Sequence, residues 1–548
     1  MEGGFGGVEE AGDGVDGFAG GLAGEAHAYD LRGRQTSMSD PDTGTTQIFY
    51  DAQSRIDHTV GAGNSTLAYS YDLLNRRTGM YIGSVAPANQ LASWTYDTLA
   101  KGLLTSNTRY VGGANGAAYT EAITGYDTVY RPQGNSITIP STEGALAGTY
   151  TTGCTYSGVL GALKGTDLPA AGGLPAESVS YGRTITGLLT SAASLKKAVV
   201  AQVAYDALAR PVRTTVGLYG TQVVATQQYD WATGRIINNF VDRQSGTVSA
   251  DQTSYTYTQA GQLTSVTDIQ DASATDTQCF TYDYLSRLTG AWTDTGGTST
   301  IADWTDSSGT KHGTGSSTTV PGIGTCNNAT GPATVNPGGR TVGGPAPYWN
   351  TYSYDATGNR TGLVQHDITG NGLNDTTTNQ TFGAAKTANS PTNAPNIGGG
   401  TGGPHALLAS TTTGPAGTKA VSYQYDAKGR TTAITDTSGA TTLTWNGEDK
   451  LDSLTTTGQA GATSYLYDAD GNQLIRRNPG KTTLNLPTDE LTLDTVSGAM
   501  SNVRSLAAPG GLTYTRVTAP IGPPTPRTQL SKSRQTRPTQ QLPRQAPR

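Results

Sequence analysis

The stretch Tyr423-Gln424-Tyr425-Asp426-Ala427-Lys428-Gly429-Arg430 decides how this chain folds. Tyr423 and Tyr425 flank one polar residue, and period-2 spacing puts both rings on one face of a strand. Asp426 then stands at the first turn position, where its carboxylate can accept a hydrogen bond from a backbone N–H two residues on. Gly429 falls where a type I turn is followed by a left-handed residue, and a second strand follows Arg430. The stretch is a β-hairpin written out in residues.

It recurs along the chain. Copies read Tyr29-Asp30-Leu31-Arg32-Gly33-Arg34, Tyr354-Asp355-Ala356-Thr357-Gly358-Asn359 and Tyr467-Asp468-Ala469-Asp470-Gly471-Asn472. Further copies start at Tyr50, Tyr71-Asp72, Tyr96, Tyr126, Tyr205-Asp206, Tyr229 and Tyr282-Asp283, with a weaker one at Tyr257. Tyr29, Tyr50 and Tyr71 stand 21 residues apart, whereas the steps from Tyr205 to Tyr282 are 24, 28 and 25. Longer gaps hold Gly/Thr/Ser/Pro-rich insertions, which read as loops. Ser54, Ala209 and Ser286 occupy the glycine position, and Asn75 does so at smaller cost. Those turns are expected to be less stable or differently shaped. Trp445-Asn446-Gly447-Glu448-Asp449-Lys450 reads as a variant turn, with Trp in the place of Tyr.

Composition agrees. The chain has 548 residues, 73 of them Gly and 28 Tyr against 6 Phe, and only 14% are charged. A helical bundle needs more Ala, Glu, Lys and Leu and far less Gly, so an all-β fold is expected. One hairpin is marginal alone, but hairpins side by side bury the Tyr/Leu/Val face and pair each edge. More than about twenty such strands accumulate twist, so the sheet is expected to coil into a spiral or a partial hollow shell.

Three regions follow: a glycine-rich lead (1–28), the repeat array (29–514) and a basic Pro/Gln-rich tail (515–548), with both ends expected to be disordered. The net charge is −6, and the tail carries six Arg, one Lys and no acid. A mildly acidic body with a short basic end is no nucleic-acid footprint. No apolar run is long enough to span a membrane, and Met1-Glu2-Gly3-Gly4-Phe5 does not read as a secretory leader.

The Tyr-Asp units, from Tyr29 to Ile475, resemble the YD repeats of RHS-repeat proteins, which include bacterial polymorphic toxins, insecticidal toxin-complex subunits and teneurin ectodomains. The stretch from Gln278 to Leu288 and the run Gly344-Pro345-Ala346-Pro347-Tyr348-Trp349 look particularly like the bacterial RHS group. The resemblance implies a spiralling shell around a C-terminal toxin domain, in a secreted or envelope-associated protein. The chain departs from the family by lacking an Asp-Pro-x-Gly-Leu-type closing signature, a self-cleavage site and a toxin domain. It therefore reads as a repeat fragment, through truncation or a shifted frame.

The search for chemistry yields little. A bridge between Cys279 and Cys326 would close a loop of about 47 residues and stabilise by roughly 3–4 kcal/mol on chain-entropy grounds. Free thiols are the other reading, since nothing fixes the redox compartment, and Cys154 is left unpaired. His366-Asp367 to Asp375 concentrates oxygen ligands without EF-hand spacing and reads as a polar loop. His27, His58, His312, His366 and His405 show no zinc spacing and read as surface residues. No phosphate loop, zinc-protease helix or nucleophile elbow occurs, and the glycine cluster Gly398–Gly403 reads as a linker. No catalytic residue, metal or cofactor is expected.

The Tyr stripe has two readings: cross-strand ring pairs that hold the sheet, or rings free to stack on sugars. Three functions follow. The first is a non-enzymatic scaffold resembling a toxin-encapsulating shell; the second is a surface protein binding cell-surface glycans; the third, a hydrolase, would need an acidic cluster the chain does not show. A toxin domain or a glycan is the expected partner, and a monomer the expected state.

Overall fold

The computed structural model describes residues 26–518, apart from 195–196, 246–248, 272–273, 296–297, 301–303, 306–310, 313–318, 322–325, 327–341, 369–373, 384–402 and 511, together with the strand Leu530–Lys532. Most of the lead, most of the tail and the linker glycines at 398–402 thus lie outside the described residues. The array itself begins at the strand Ala26–Tyr29, and its strand Leu512–Val517 runs three residues past the expected boundary.

Among the described residues, 37 strands form one sheet. Each strand pairs antiparallel with the next in sequence, from Ala26–Tyr29 on Gln35–Asp40 to Leu512–Val517 on Leu530–Lys532. The insertion after Leu288–Thr293 does not break the order, because that strand pairs directly with Trp349–Tyr354. Helix among the described residues is confined to three short 3-10 turns, such as Pro87–Asn89 and Ser141–Leu146.

Every hairpin turn of the Tyr-Asp kind lies on one edge of this ribbon, and the alternate turns lie on the other. That polarity lets the ribbon wind onto itself. The backbone N–H of His405 donates to Asp42, 363 residues away, and Asn107 donates to Asp470. Asn502 likewise donates to the Ala171 carbonyl, and Gln227 to that of Gly510. A second turn of ribbon, from about Gly403 onward, therefore seats its Tyr-Asp edge on the alternate edge of the first.

The second turn is narrower. Between the Asp42–His405 and Gln227–Gly510 contacts the first turn runs through 15 strands, Gly44–Tyr50 to Val223–Tyr229, and the second through 10, Leu407–Gly414 to Met500–Ala508. At 4.7–4.9 Å per strand these arcs are roughly 70 and 50 Å long. The spiral tapers toward its C-terminal end.

The core follows the same seam. Met80, Ala92 and Trp94 pack on Ala469, and Tyr119, Ile139 and Leu146 on Ile475, Leu484 and Leu491. Further along, Val179, Val200 and Val216 meet Leu512 and Tyr514. In these three clusters apolar burial joins two turns of ribbon rather than only the strands of one hairpin, which explains why a single unit could not stand alone.

Candidate functional site: the Tyr-Asp edge and the cysteine corner

The Tyr-Asp turn is a three-residue loop. In the first unit the Asp30 N–H donates to the Arg34 carbonyl, the Gly33 N–H to the Asp30 carbonyl, and Gly33 takes a φ of 74°. One oxygen of the Asp30 carboxylate accepts the N–H groups of Arg32 and Arg34 at 2.9 and 3.0 Å. The other accepts the Arg34 guanidinium at 2.8 Å. Asp72, Asp206, Asp283 and Asp426 repeat the pattern with Arg76, Arg210, Arg287 and Arg430. Asp355 and Asp468 do so with the amides of Asn359 and Asn472, around Gly358 and Gly471.

Each unit then reaches the next. The Tyr50 hydroxyl donates to the Gln35 carbonyl at 2.8 Å, and that of Tyr71 to the Ile56 carbonyl at 2.8 Å. Tyr205, Tyr282, Tyr354, Tyr425 and Tyr467 bond the carbonyls of Leu189, Leu263, Leu288, Leu407 and Leu451 in the same way. The arginine completes the link: Arg34 lies 4.4 Å from the Tyr50 ring centroid, Arg55 4.7 Å from that of Tyr71, and Arg287 4.8 Å from that of Tyr354. The motif is therefore a staircase. Asp fixes its own Arg, Arg covers the next Tyr, and that Tyr bonds the strand leaving the Arg. Where ring-on-ring pairs were one expectation, the rings of Tyr50, Tyr71, Tyr96, Tyr229 and Tyr354 meet guanidinium groups, because strand spacing presents the preceding unit's Arg to their faces.

The turns without glycine keep the common shape. Ser54, Asn75, Ala209 and Ser286 take φ of 66°, 64°, 61° and 66°, and Tyr130 and Asp449 do the same. The expectation of a different shape is corrected: the Asp bonds hold these residues in the left-handed region despite a cost of order 1–2 kcal/mol. Trp445 forms the variant unit, its indole N–H donating to the Thr431 carbonyl at 2.8 Å while the Asn446 amide oxygen plays the part of Asp.

Two units escaped the sequence reading. Tyr156-Ser157 uses a hydroxyl in place of the carboxylate, with Tyr156 bonding the Pro132 carbonyl. Arg183-Thr184 goes further, Arg183 donating to the Leu163 carbonyl where Tyr would. The surviving signal was a glycine at the end of each loop, Gly161 and Gly187.

Electrostatics fits the geometry. Burial works against the Asp72 charge, but the Arg76 backbone N–H and guanidinium outweigh it and lower the carboxyl's pKa. The Arg76 side chain also reaches Asp97 and lowers its pKa to about 2. Burial pushes Tyr71, Tyr205, Tyr282 and Tyr354 up, and Tyr425 to about 12.

Cys279 and Cys326 form a disulfide, with Cα atoms 5.6 Å apart. Cys279 is wholly buried against Trp292 and Trp349, and the buried Asp294 carboxylate accepts the Cys326 N–H at 3.0 Å. Cys279, Asp294 and Cys326 converge as three donors, yet sulfurs bonded to each other leave only the carboxylate as an anionic ligand. Cys154 is free, and burial raises its thiol pKa, the reverse of what a nucleophile needs.

The histidines divide. His27 pairs with Gln35 and His405 with Asn359 at exposed positions. His58, half-buried within the strand Ile56–Val60 and so not the surface residue expected, pairs with Asp57 and stacks on Phe49. The His312 side chain lies outside the described residues. His366 is half-buried: its ring stacks on Trp349, one nitrogen meets Asp375 at 2.9 Å and the other Thr351 at 3.0 Å. That corrects its reading as a surface residue, since the register of Trp349–Tyr354 on Arg360–Gln365 brings the Trp under it. Thr351 sits mid-strand, paired with Gly290 and Val364, so the chain of groups pins a strand rather than lining a cleft. A hollow beside Asn135, Tyr150, Pro169 and Asp489 has room for only about one water molecule.

Comparison with protein-family models and with curated proteins finds no match. Solved structures do match. The chain is similar to the crystal structure of TcdB2-TccC3, with TM-score 0.64 and 17% identity over 92% of this chain and 24% of that one. It is similar to TcdB2-TccC3-Cdc42, with TM-score 0.63 and 17% identity over 92% and 23%. The Tc holotoxin pore of Photorhabdus luminescens with a mutated TccC3 gives TM-score 0.62 and 17% identity over 91% and 23%. The fold is theirs. The chain spans about a quarter of the length of the structures it matches. No helix among its described residues is long and apolar enough to cross a membrane.

Proposed function

We propose that the chain is a non-enzymatic wall: an RHS-type YD-repeat ribbon whose spiral encloses cargo, as a shell encloses a toxin domain, in a secreted or envelope-associated protein. The carrying observation is the seam, where a second turn of ribbon seats edge-on along the first and buries a common core. A wall needs rigidity without a reaction centre, and the motif spends its acids, guanidiniums and hydroxyls on holding neighbouring hairpins. Likeness to toxin complexes supports the cargo class. Binding of glycans by the Tyr face gains no support from rings such as Tyr50, Tyr71 and Tyr354, whose hydroxyls are bonded and whose faces carry Arg.

X-ray scattering tests the reading. A solid chain of this length has a radius of gyration near ~24 Å and an unfolded one near ~88 Å. A wall around a solvent-filled space gives a value modestly above the first, with a shell-like distance distribution; a value above about 60 Å overturns it. A glycan array bound by the native chain but not by Tyr423→Ala or Tyr465→Ala would favour the carbohydrate reading instead.

A further inference from the structure

The Tyr-Asp edge is used differently by the two turns. In the second turn its loop tips are small, and they dock: Ala427 faces Gly63, Gly447 faces Ile82, and Ala469 is buried against Met80 and Trp94. Among the described residues nothing covers the same edge in the first turn, and most of its tips are large and apolar. Of the eleven such hairpins from Asp30 to Ser286, nine present an exposed Leu, Val, Ile, Tyr or Trp at the loop, among them Leu31, Leu73, Val129, Leu208, Trp231 and Tyr284. Leu73 is 101% exposed, Tyr284 90% and Trp231 79%. Turn tips are ordinarily Gly, Asn, Asp or Ser, so a rim of this composition is not explained by the turns themselves.

We propose that this rim, around the wide mouth of the spiral, is the interface with a second copy of the same chain, the two mouths meeting rim to rim. Summed over the separate tips, the exposed side-chain area is on the order of 1,000 Å², enough for one side of a stable interface. The rim is also self-matching. Its tips recur every two strands, roughly 9–10 Å, so an identical rim offset by half a repeat places tips between tips. Such a contact is isologous and closes, as the commonest homo-oligomers do. The spiral tapers at its other end, so this rim is the broader of the two. A monomer, the expectation from sequence, leaves this surface in water.

Sedimentation velocity on the full chain at micromolar concentration tests the proposal. The native chain is expected to run as a dimer. A variant carrying Leu73→Asp, Leu208→Asp and Trp231→Asp is expected to run as a monomer with unchanged far-ultraviolet dichroism, because these side chains project from loops outside the sheet. Val496→Asp, on the alternate edge of the second turn, should leave the dimer intact. A monomer at every concentration overturns the proposal, as do dimers that survive the triple substitution and open-ended oligomers, which would mean head-to-tail stacking. The milder Leu73→Ser with Leu208→Ser serves if the triple variant fails to fold, and should weaken the dimer in the same direction.

Discussion

The Tyr71 hydroxyl donates a 2.8 Å hydrogen bond to the backbone carbonyl of Ile56, and Arg55, next to Ile56, lies over the same ring. One side chain thereby ties two hairpins through an edge-on bond and a cation–π contact. Repetition of this link along the ribbon holds the Tyr-Asp edge in register.

Tyr71→Phe keeps the ring under Arg55 and removes only the bond, worth about 1 kcal/mol. Amides of Ile56–Val60 and Thr66–Tyr71 are expected to exchange about fivefold faster, with strands several hairpins away unchanged. Tyr71→Ala, which loses the ring as well, should have the larger effect. Equal rates in Tyr71→Phe and the native chain would show the bond to be idle.

Glycine substitutions separate backbone strain from the seam. At Gly33, with φ of 74° and open space around it, Ala meets strain alone and is expected to cost about 1 kcal/mol. At Gly429, with φ of 69°, a Cβ would come within 2.3 Å of the Asp42 carbonyl of the first turn, so Gly429→Ala should cost clearly more. Ala209→Gly relieves the strain at φ 61° and should stabilise by several tenths of a kcal/mol. Denaturant midpoints of the three variants check the order.

Arg504 has no exposed surface; it bonds Asp489 and the Pro169 and Pro175 carbonyls of the first turn. Arg504→Ala leaves Asp489 buried without its cation and is expected to cost about 3–5 kcal/mol. Thermal unfolding should shift accordingly, and native-like melting would remove this cluster from the seam.

Acid should loosen the Tyr-Asp edge. Folding lowers the pKa values of Asp72 and Asp97, the latter to about 2, so their contribution is fully present above the unfolded value of 3.8. It is lost as pH falls from there through about 2. Asp97→Asn should flatten the stability profile in that window and lower stability by a constant amount near neutral pH; a profile as steep as the native one would contradict the assignment.

Under oxidising conditions the unfolded chain should show one reactive thiol, Cys154, and three after reduction. Reduction is expected to lower stability by roughly 3–4 kcal/mol for a loop of this length. Three thiols before reduction would disprove the bridge.

Much of this was legible because the turn is local. Asp72, its Arg76 and the residue at Asn75 are within five positions, so spacing alone conveys the loop. Links between units are legible only in part: Tyr71 and Ile56 are fifteen residues apart, and nothing in either names the other. Arg183 in the place of Tyr, and Thr184 in the place of Asp, satisfy the same bonds with different atoms, so the motif vanished where the geometry did not. The seam could not be read at all. Gly63 and Ala427 meet only because the ribbon's accumulated twist brings the second turn over the first.

That meeting offers the most direct test. A Cβ built at Gly63 would lie 3.8 Å from the Ala427 Cβ, the separation typical of disulfide-linked residues. With Cys154→Ser to remove the free thiol, Gly63→Cys and Ala427→Cys should form a bond on mild oxidation, joining residues from two turns of one spiral. A trypsin digest should then yield a peptide pair linking them. If both thiols stay free while the chain is folded, the second turn does not seat on the first, and the spiral is wrong.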